Sequence, residues 1–196
     1  MIKTEDVKAL RDKTGISVMQ CKKALEEAKG DPEKALLLLK KKAGAIASKK
    51  SDRTLGAGAI ASYIHSTNQI GTLVELSCET DFVAKNEEFV TLAHDIAMHI
   101  AGAYPEYVSE ADINKEDRAK VKEMFAEEVN KSDKPEDIKE KMLQGKIDAY
   151  FKERVLMKQA FIKDPEKTIE DLVNDGTHKF GERMEVARFE RYVVGG

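Results

Sequence analysis

The chain contains 196 residues, of which 41% are apolar and 35% charged, and its formal net charge is −3. This composition is typical of a charge-rich globular protein, and no apolar run approaches the roughly 18 residues that a membrane span requires. The opening residues lack the apolar core of a signal peptide, so we expect a cytoplasmic protein, not bound to membranes, with Cys21 and Cys78 reduced and buried.

The charge is unevenly distributed along the chain. Residues 1–53 contain 14 basic and 8 acidic residues, a net +6, whereas the remainder contains 19 and 28, a net −9. A basic N-terminal segment followed by an acidic remainder predicts two modules. The basic excess is modest and no aromatic platform accompanies it, so direct nucleic-acid binding is not expected.

Three short helices are predicted at the start of the chain. Ser17 is a capping residue for the second helix, which continues to Gly30, and Asp31 followed by proline begins the third. We therefore expect a compact three-helix module at 1–45, followed by a basic linker at 46–57.

The second helix has an apolar residue on its polar side. Its buried stripe should contain Val18, Cys21, Leu25 and Ala28 at helical spacing, whereas Met19 lies beside two lysines. A flexible apolar side chain on a solvent-facing surface is a candidate contact for a partner. Single exposed apolar residues are ordinary, however, and Met19 could equally cover a neighbouring loop.

Two strands and a long helix come next. Residues 58–66 and 70–78 show strand-like patterns around a polar turn, which predicts a hairpin. Asn86 is a good helix cap, and a continuous apolar stripe runs from Phe89 to Ile100. This pattern predicts a helix that packs on the hairpin.

The last third of the chain is mostly helical. Two charged helices, the second interrupted by Gly145, predict a helical hairpin at 114–157. A short helix at 168–175 precedes a strand at 184–194, which would complete a small antiparallel three-stranded sheet. Because helices dominate and the strands do not alternate with them, the predicted class is α+β, with a core domain at 58–196.

No pattern of catalytic residues stands out. The four histidines lie outside any metal-binding spacing, and the sequence lacks the glycine-rich phosphate loops and the serine elbow of hydrolases. We therefore expect a protein without enzyme chemistry, cofactor or metal. A binding or regulatory role is the remaining class.

The segment "CETDFVAKNEEF" (78–89) leaves two interpretations of Phe82 open. If the helix at Asn86 extended backwards, Phe82 would share a face with Phe89, seven residues later, and would belong to the core. If Asn86 is a true cap, the helical register restarts there and Phe82 belongs to the connection. From the residues alone the core interpretation is favoured, because apolar residues near a helix start usually pack inward.

The segment "TDFVAKNEEF" (80–89) closely resembles the "TDFVAK" signature of the bacterial elongation factor Ts family. The segment "ALRDKTGISVMQCKKALEEAKGD" (9–31) is similar to the N-terminal module of that family, a ubiquitin-associated-like three-helix bundle. The final strand, "VARFERY" (186–192), also matches, and these motifs occur in the family's order along the whole chain.

The resemblance implies a guanine-nucleotide exchange factor for elongation factor Tu. It places Thr80, Asp81, Phe82 and Val83 in the motif that intrudes near the partner's nucleotide site and dislocates its Mg²⁺. The resemblance also implies partner contacts at three further residues, Val18, Met19 and His99. Many relatives have two methionines at the first two of these positions, so the valine is a departure.

The resemblance also implies an assembly. The chain has one core half where longer relatives have two, so we expect a homodimer that forms a two-plus-two complex with elongation factor Tu. The last strand has Glu190 and no cysteine, so the dimer should be noncovalent. The alternative function is a non-catalytic adaptor or RNA-associated protein that uses the three-helix module and the basic linker.

Overall fold

The structure is a computed structural model that describes residues 2–132 and 134–195. The described chain combines helices with two small antiparallel sheets, which confirms the predicted α+β class. Its elements in chain order are α1 (Thr4–Thr14), α2 (Val18–Glu27), α3 (Pro32–Lys49), β1 (Ala57–Ile64), β2 (Ile70–Cys78), α4 (Asp81–Ala84), α5 (Glu87–Ala103), α6 (Lys115–Asn130), α7 (Glu136–Lys152), β3 (Ala160–Phe161), β4 (Asp164–Thr168), α8 (Ile169–Phe180) and β5 (Met184–Val193).

Helices α2 and α3 begin at the predicted caps. The Ser17 hydroxyl accepts from the Gln20 backbone N–H, and the Asp31 carboxylate accepts from two backbone N–H groups of α3. Helix α2 ends at Glu27, before the predicted end near Gly30, and α3 continues to Lys49. The first residues of the segment predicted as a linker are therefore helical, and the division into modules stays a prediction.

The three-stranded sheet has the order β1-β2-β5, with both pairs antiparallel, as predicted. On its inner face Val74, Leu76 and Cys78 are buried against α5, because alternate residues of a strand face the same side. On its outer face Ile60 and Leu73 are exposed. One face of the sheet thus forms the main core and the other faces solvent.

Helices α6 and α7 pack against each other as the predicted hairpin and have a small core of their own, centred on Val121, Ile147 and Phe151. The predicted interruption at Gly145 was wrong, because α7 runs through that residue without a break. None of the described helices is both long and apolar enough to cross a membrane.

The N-terminal helices and the sheet domain have separate hydrophobic cores. Helix α3 packs on α8, and ion pairs cross the boundary between them. Lys40 Nζ lies 3.5 Å from an Asp171 carboxylate oxygen, and Lys13 Nζ lies 3.6 Å from one of Glu166. The contact between the two cores is therefore partly ionic.

Candidate functional site

Phe82 lies on a single helical turn between the sheet and α5. In this turn, α4, Phe82 is 83% exposed, whereas its neighbour Val83 is 4% exposed and belongs to the main core. The core interpretation of Phe82 was therefore wrong. The turn rests on a buried valine and presents an aromatic ring to solvent.

The cap at Asn86 separates the turn that carries Phe82 from the register of α5. That residue has an extended backbone, with φ −70° and ψ 132°, and its side-chain oxygen accepts from the Glu88 backbone N–H at 2.9 Å. The helical register of α5 therefore begins after Asn86 and does not extend back through α4. Phe89 starts the buried stripe of α5 and is fully buried, while Phe82 follows the separate register of the turn.

Charged residues flank Phe82 along the chain. Lys85 Nζ lies 2.6 Å from the Asp81 carboxylate, and this hydrogen bond lowers the pKa of Asp81. Before the turn, the Glu79 carboxylate accepts from the Arg183 backbone N–H and from the Arg53 guanidinium at 3.0 and 3.2 Å, which lowers the pKa of Glu79. Both carboxylates stay ionised through the neutral range.

The turn is also tied to the loop between α8 and β5. Thr80 donates its backbone N–H to one oxygen of Glu182 at 3.0 Å and its hydroxyl to the other oxygen at 2.6 Å. Thr80 is thus an attachment point of the turn. The sequence analysis did not single out Glu182, because no local pattern connects residues 102 positions apart.

Helix α2 presents a second exposed apolar pair. Met19 is 75% exposed, whereas Cys21 and Leu25 are fully buried in the N-terminal core. The placement of Val18 on the buried stripe was wrong, because this residue at the start of α2 is 50% exposed. The hypothesis that Met19 covers a neighbouring loop is therefore wrong. Its side chain is available to another molecule.

The last turn of α8 contacts both α2 and α5. Gln20, next to Met19, has its side-chain nitrogen 2.9 Å from Nε2 of His178, whose pKa is lowered by burial. The adjacent Lys179 forms an ion pair with Glu88 in the first turn of α5. The helix that carries Met19 and the helix that follows the Phe82 turn are thus attached to the same segment of the chain.

His99 lies inside the main core and not beside Phe82 or Met19. It is fully buried, its Nε2 is 2.9 Å from the Gln159 side-chain oxygen, and burial lowers its pKa. Gln159 in turn donates to the backbone oxygens of Ala103 and Glu153. This geometry favours internal support of α5, and a partner contact at His99 stays a prediction.

Within residues 2–132 and 134–195, no three histidine, cysteine or acidic side chains lie close enough together to coordinate a metal ion. The exposed groups of the site are an aromatic ring, a methionine and ionised side chains. Such groups can bind a protein surface through apolar anchors in a charged surround.

The chain is similar to known proteins over its whole length. A family model described as Elongation factor TS matches residues 38–196. The elongation factor Ts of Thermosipho melanesiensis is 48% identical over 195 residues, which is 100% of both chains. Those of Moorella thermoacetica and Syntrophomonas wolfei are each 46% identical over 195 residues, covering 100% of this chain and 96% and 91% of the relatives.

Proposed function

This chain belongs to the elongation factor Ts family, and we propose that it is the guanine-nucleotide exchange factor of elongation factor Tu in the cytoplasm. In this proposal the turn that carries Phe82 enters the partner near its Mg²⁺ and phosphate site, and GDP leaves so that GTP can bind. The protein makes and breaks no covalent bonds itself.

The physical basis of exchange is differential binding. A GTPase retains GDP largely through contacts to the phosphates and Mg²⁺. A factor that binds the form with disturbed contacts better than the intact form shifts the partner toward release. The coupling is reciprocal, so nucleotide weakens factor binding as much as the factor weakens nucleotide binding.

The observation that supports this proposal most is the exposure of Phe82 on a fixed turn. An aromatic ring that is 83% exposed contributes nothing to the core of the free protein. Buried aromatic anchors are the usual source of binding energy in protein interfaces. Within the motif, Phe82 and Asp81 face outward, while Val83 and Thr80 fix the turn to the body.

The proposal is tested by measuring release of labelled GDP from elongation factor Tu. We expect the rate to rise with added protein and to reach a plateau. An unchanged rate at every concentration of the protein would contradict the proposed function.

Replacing Met19 with alanine should weaken association with the partner. Loss of an exposed apolar anchor costs about 1.4 kcal/mol, so about ten times more protein should be needed for half-maximal GDP release. The plateau rate should be unchanged, because the methionine lies on α2 and not on the turn that carries Phe82.

Met124→Ala is the matched control for this prediction. Met124 is 52% exposed on α6, so the same side-chain truncation occurs on the helical hairpin. We expect wild-type kinetics from the control. If both methionine variants lose affinity equally, the contact is not specific to α2.

We also propose that the protein is a noncovalent homodimer through the outer face of its three-stranded sheet. Ile60, Ile64 and Leu73 are exposed on this face beside an ion pair between Glu75 and Arg188, and exposed apolar residues among polar ones are common in dimer surfaces. Two copies could then engage two partner molecules.

Replacing Leu73 with aspartate should produce a monomer, because the new carboxylate would be buried at the interface opposite Glu190 on the neighbouring strand. Light scattering at micromolar concentration measures the mass. Leu37→Asp, at an exposed position of α3, should leave the dimer intact. A monomeric wild-type protein would contradict the proposed assembly without affecting the exchange proposal.

No observation favours the RNA-associated alternative. Three lysines of α3 and the linker are engaged within the chain, because Lys40 pairs with Asp171, Lys42 pairs with Glu27, and Lys50 donates to a backbone carbonyl. These contacts reduce the positive charge that this segment offers to a phosphate backbone.

A further inference from the structure

The turn that carries Phe82 depends on distant residues for its orientation. Helix α4 contains four residues, Asp81–Ala84, and a single helical turn has little stability of its own. The N-cap residue of α4 is Thr80. Its hydroxyl donates to a carboxylate oxygen of Glu182 at 2.6 Å and does not accept from the backbone N–H groups of the turn. The turn is therefore fixed by what it touches, namely the core beneath Val83 and the carboxylate of Glu182.

The loop that carries Glu182 is held from several sides. Gly181 ends α8 in the left-handed region, with φ +73°, and its carbonyl accepts from Lys50. On the other side, Arg183 donates through its guanidinium to the Arg53 carbonyl at 2.6 Å and through its backbone N–H to Glu79. Glu182 thus projects from a segment that is fixed to α3 and to the end of β2.

We propose that Glu182 is a positioning residue that fixes the direction of Phe82 through Thr80. This inference rests on the proposed exchange function and extends it to a residue that acts through Thr80 and not through a contact of its own with the partner. Both carboxylate oxygens accept hydrogen bonds from the same residue, one from its backbone and one from its side chain. That pair of bonds restrains both the position and the rotation of the residue that leads into the turn.

The carboxylate is suited to this role because it is purely an acceptor. A glutamine of the same size has one acceptor oxygen, and its NH₂ group would face a donor of Thr80. Hydrogen bonds to charged groups are also stronger than neutral ones. Glu182→Gln should therefore leave one donor of Thr80 unpaired and widen the range of directions that Phe82 adopts.

Glu182→Gln should reduce the plateau rate of GDP release from elongation factor Tu about tenfold, the effect of losing one hydrogen bond to a charged group. The protein needed for half-maximal release should stay near the wild-type value, because α2 is unaltered. Glu123→Gln, which neutralises an exposed carboxylate of α6, is the matched control and should be indistinguishable from wild type.

A double-mutant cycle separates positioning from general destabilisation. If Glu182 acts through Phe82, then Phe82→Ala combined with Glu182→Gln should be no slower than Phe82→Ala alone. An additional tenfold loss in the double variant would overturn the proposal, because Glu182 would then act independently of the ring. A wild-type plateau for Glu182→Gln would overturn it as well.

Amide hydrogen exchange provides a readout that does not require the partner. The segment 79–85 should exchange about tenfold faster in Glu182→Gln than in wild type, because one of the two hydrogen bonds that hold Thr80 to residue 182 is lost. Unchanged exchange in this segment would contradict the proposal. If Glu182→Gln fails to fold, Thr80→Val serves in its place, since it removes the hydroxyl donor and keeps the shape of the side chain.

The two proposals fail in distinguishable ways. If wild-type protein accelerates GDP release and Glu182→Gln does so equally, the exchange function stands and the role of Glu182 is wrong. If wild-type protein produces no acceleration, the exchange function is wrong, and the role of Glu182 in exchange is then wrong as well.

Discussion

Replacing Phe82 with alanine should slow the GDP release that the protein induces in elongation factor Tu at least about thirtyfold, because a central aromatic anchor is worth roughly 2 kcal/mol or more. The free protein should remain as stable as wild type, since the ring is 83% exposed and loses few contacts when removed. Stopped-flow measurement of labelled GDP release, with thermal unfolding of each variant, checks both parts.

Either part of this expectation can fail separately. Loss of folding in Phe82→Ala would mean that the ring supports the core after all. A folded variant with the wild-type rate would mean that the exposed ring is not the group that disturbs the nucleotide site. Phe82→Leu should retain part of the activity, because leucine is apolar but fills less of an aromatic pocket.

Replacing Phe89 with alanine should have the opposite effect, a large loss of stability without a specific loss of activity in the folded protein. Its side chain is fully buried, and its ring meets the edge of Phe180 with 6.4 Å between ring centroids. A buried Phe→Ala change costs about 3–5 kcal/mol, a large part of the 5–15 kcal/mol that stabilises a typical domain. Denaturant unfolding should therefore show a much lower midpoint than for wild type.

The two variants remove the same chemical group seven residues apart, so each serves as the control of the other. Phe89→Ala should reduce activity only as far as it reduces the folded fraction. A Phe89→Ala protein as stable as wild type would contradict the placement of this ring in the core.

The sheet, α5 and the helical hairpin could be predicted from the sequence because their signals are local and repeated. The hydrophobic stripe of α5 and the caps at Asp31 and Asn86 all lie within a few residues of what they determine. Helix ends were less accurate, as the extension of α3 to Lys49 demonstrates, because packing on α8 stabilises the additional turns.

The direction of the Phe82 side chain could not be predicted from local sequence patterns alone. The cap at Asn86 was recognised, yet the inward direction of Phe82 was favoured on the general tendency of apolar residues. The outcome depended on Val83, which fills the core position beneath the turn and leaves the aromatic ring outside. A choice between two adjacent apolar residues requires the three-dimensional arrangement.

Long-range polar contacts could not be predicted from the sequence. The bonds between Thr80 and Glu182, and the contact of Gln20 with His178, join segments more than 100 residues apart. Single acidic residues are too common in this chain for any one of them to stand out. The short strands β3 and β4 were also missed, because their segment contains proline and charged residues that are rare in strands.

The fixed ends of the segment between β2 and α5 make its length as important as its composition. Cys78 is buried at the end of the sheet, Asn86 caps the next helix, and seven residues connect them. Each added residue in a helical turn rotates the following side chains by about 100°. Counted from the sheet, a single insertion before Phe82 would place the aromatic ring at the buried position that Val83 now occupies and would move the valine to the position of Ala84, which also packs against the core. We therefore expect the spacing between β2 and Phe82 to affect the proposed activity, and a scan of substitutions would not detect this effect.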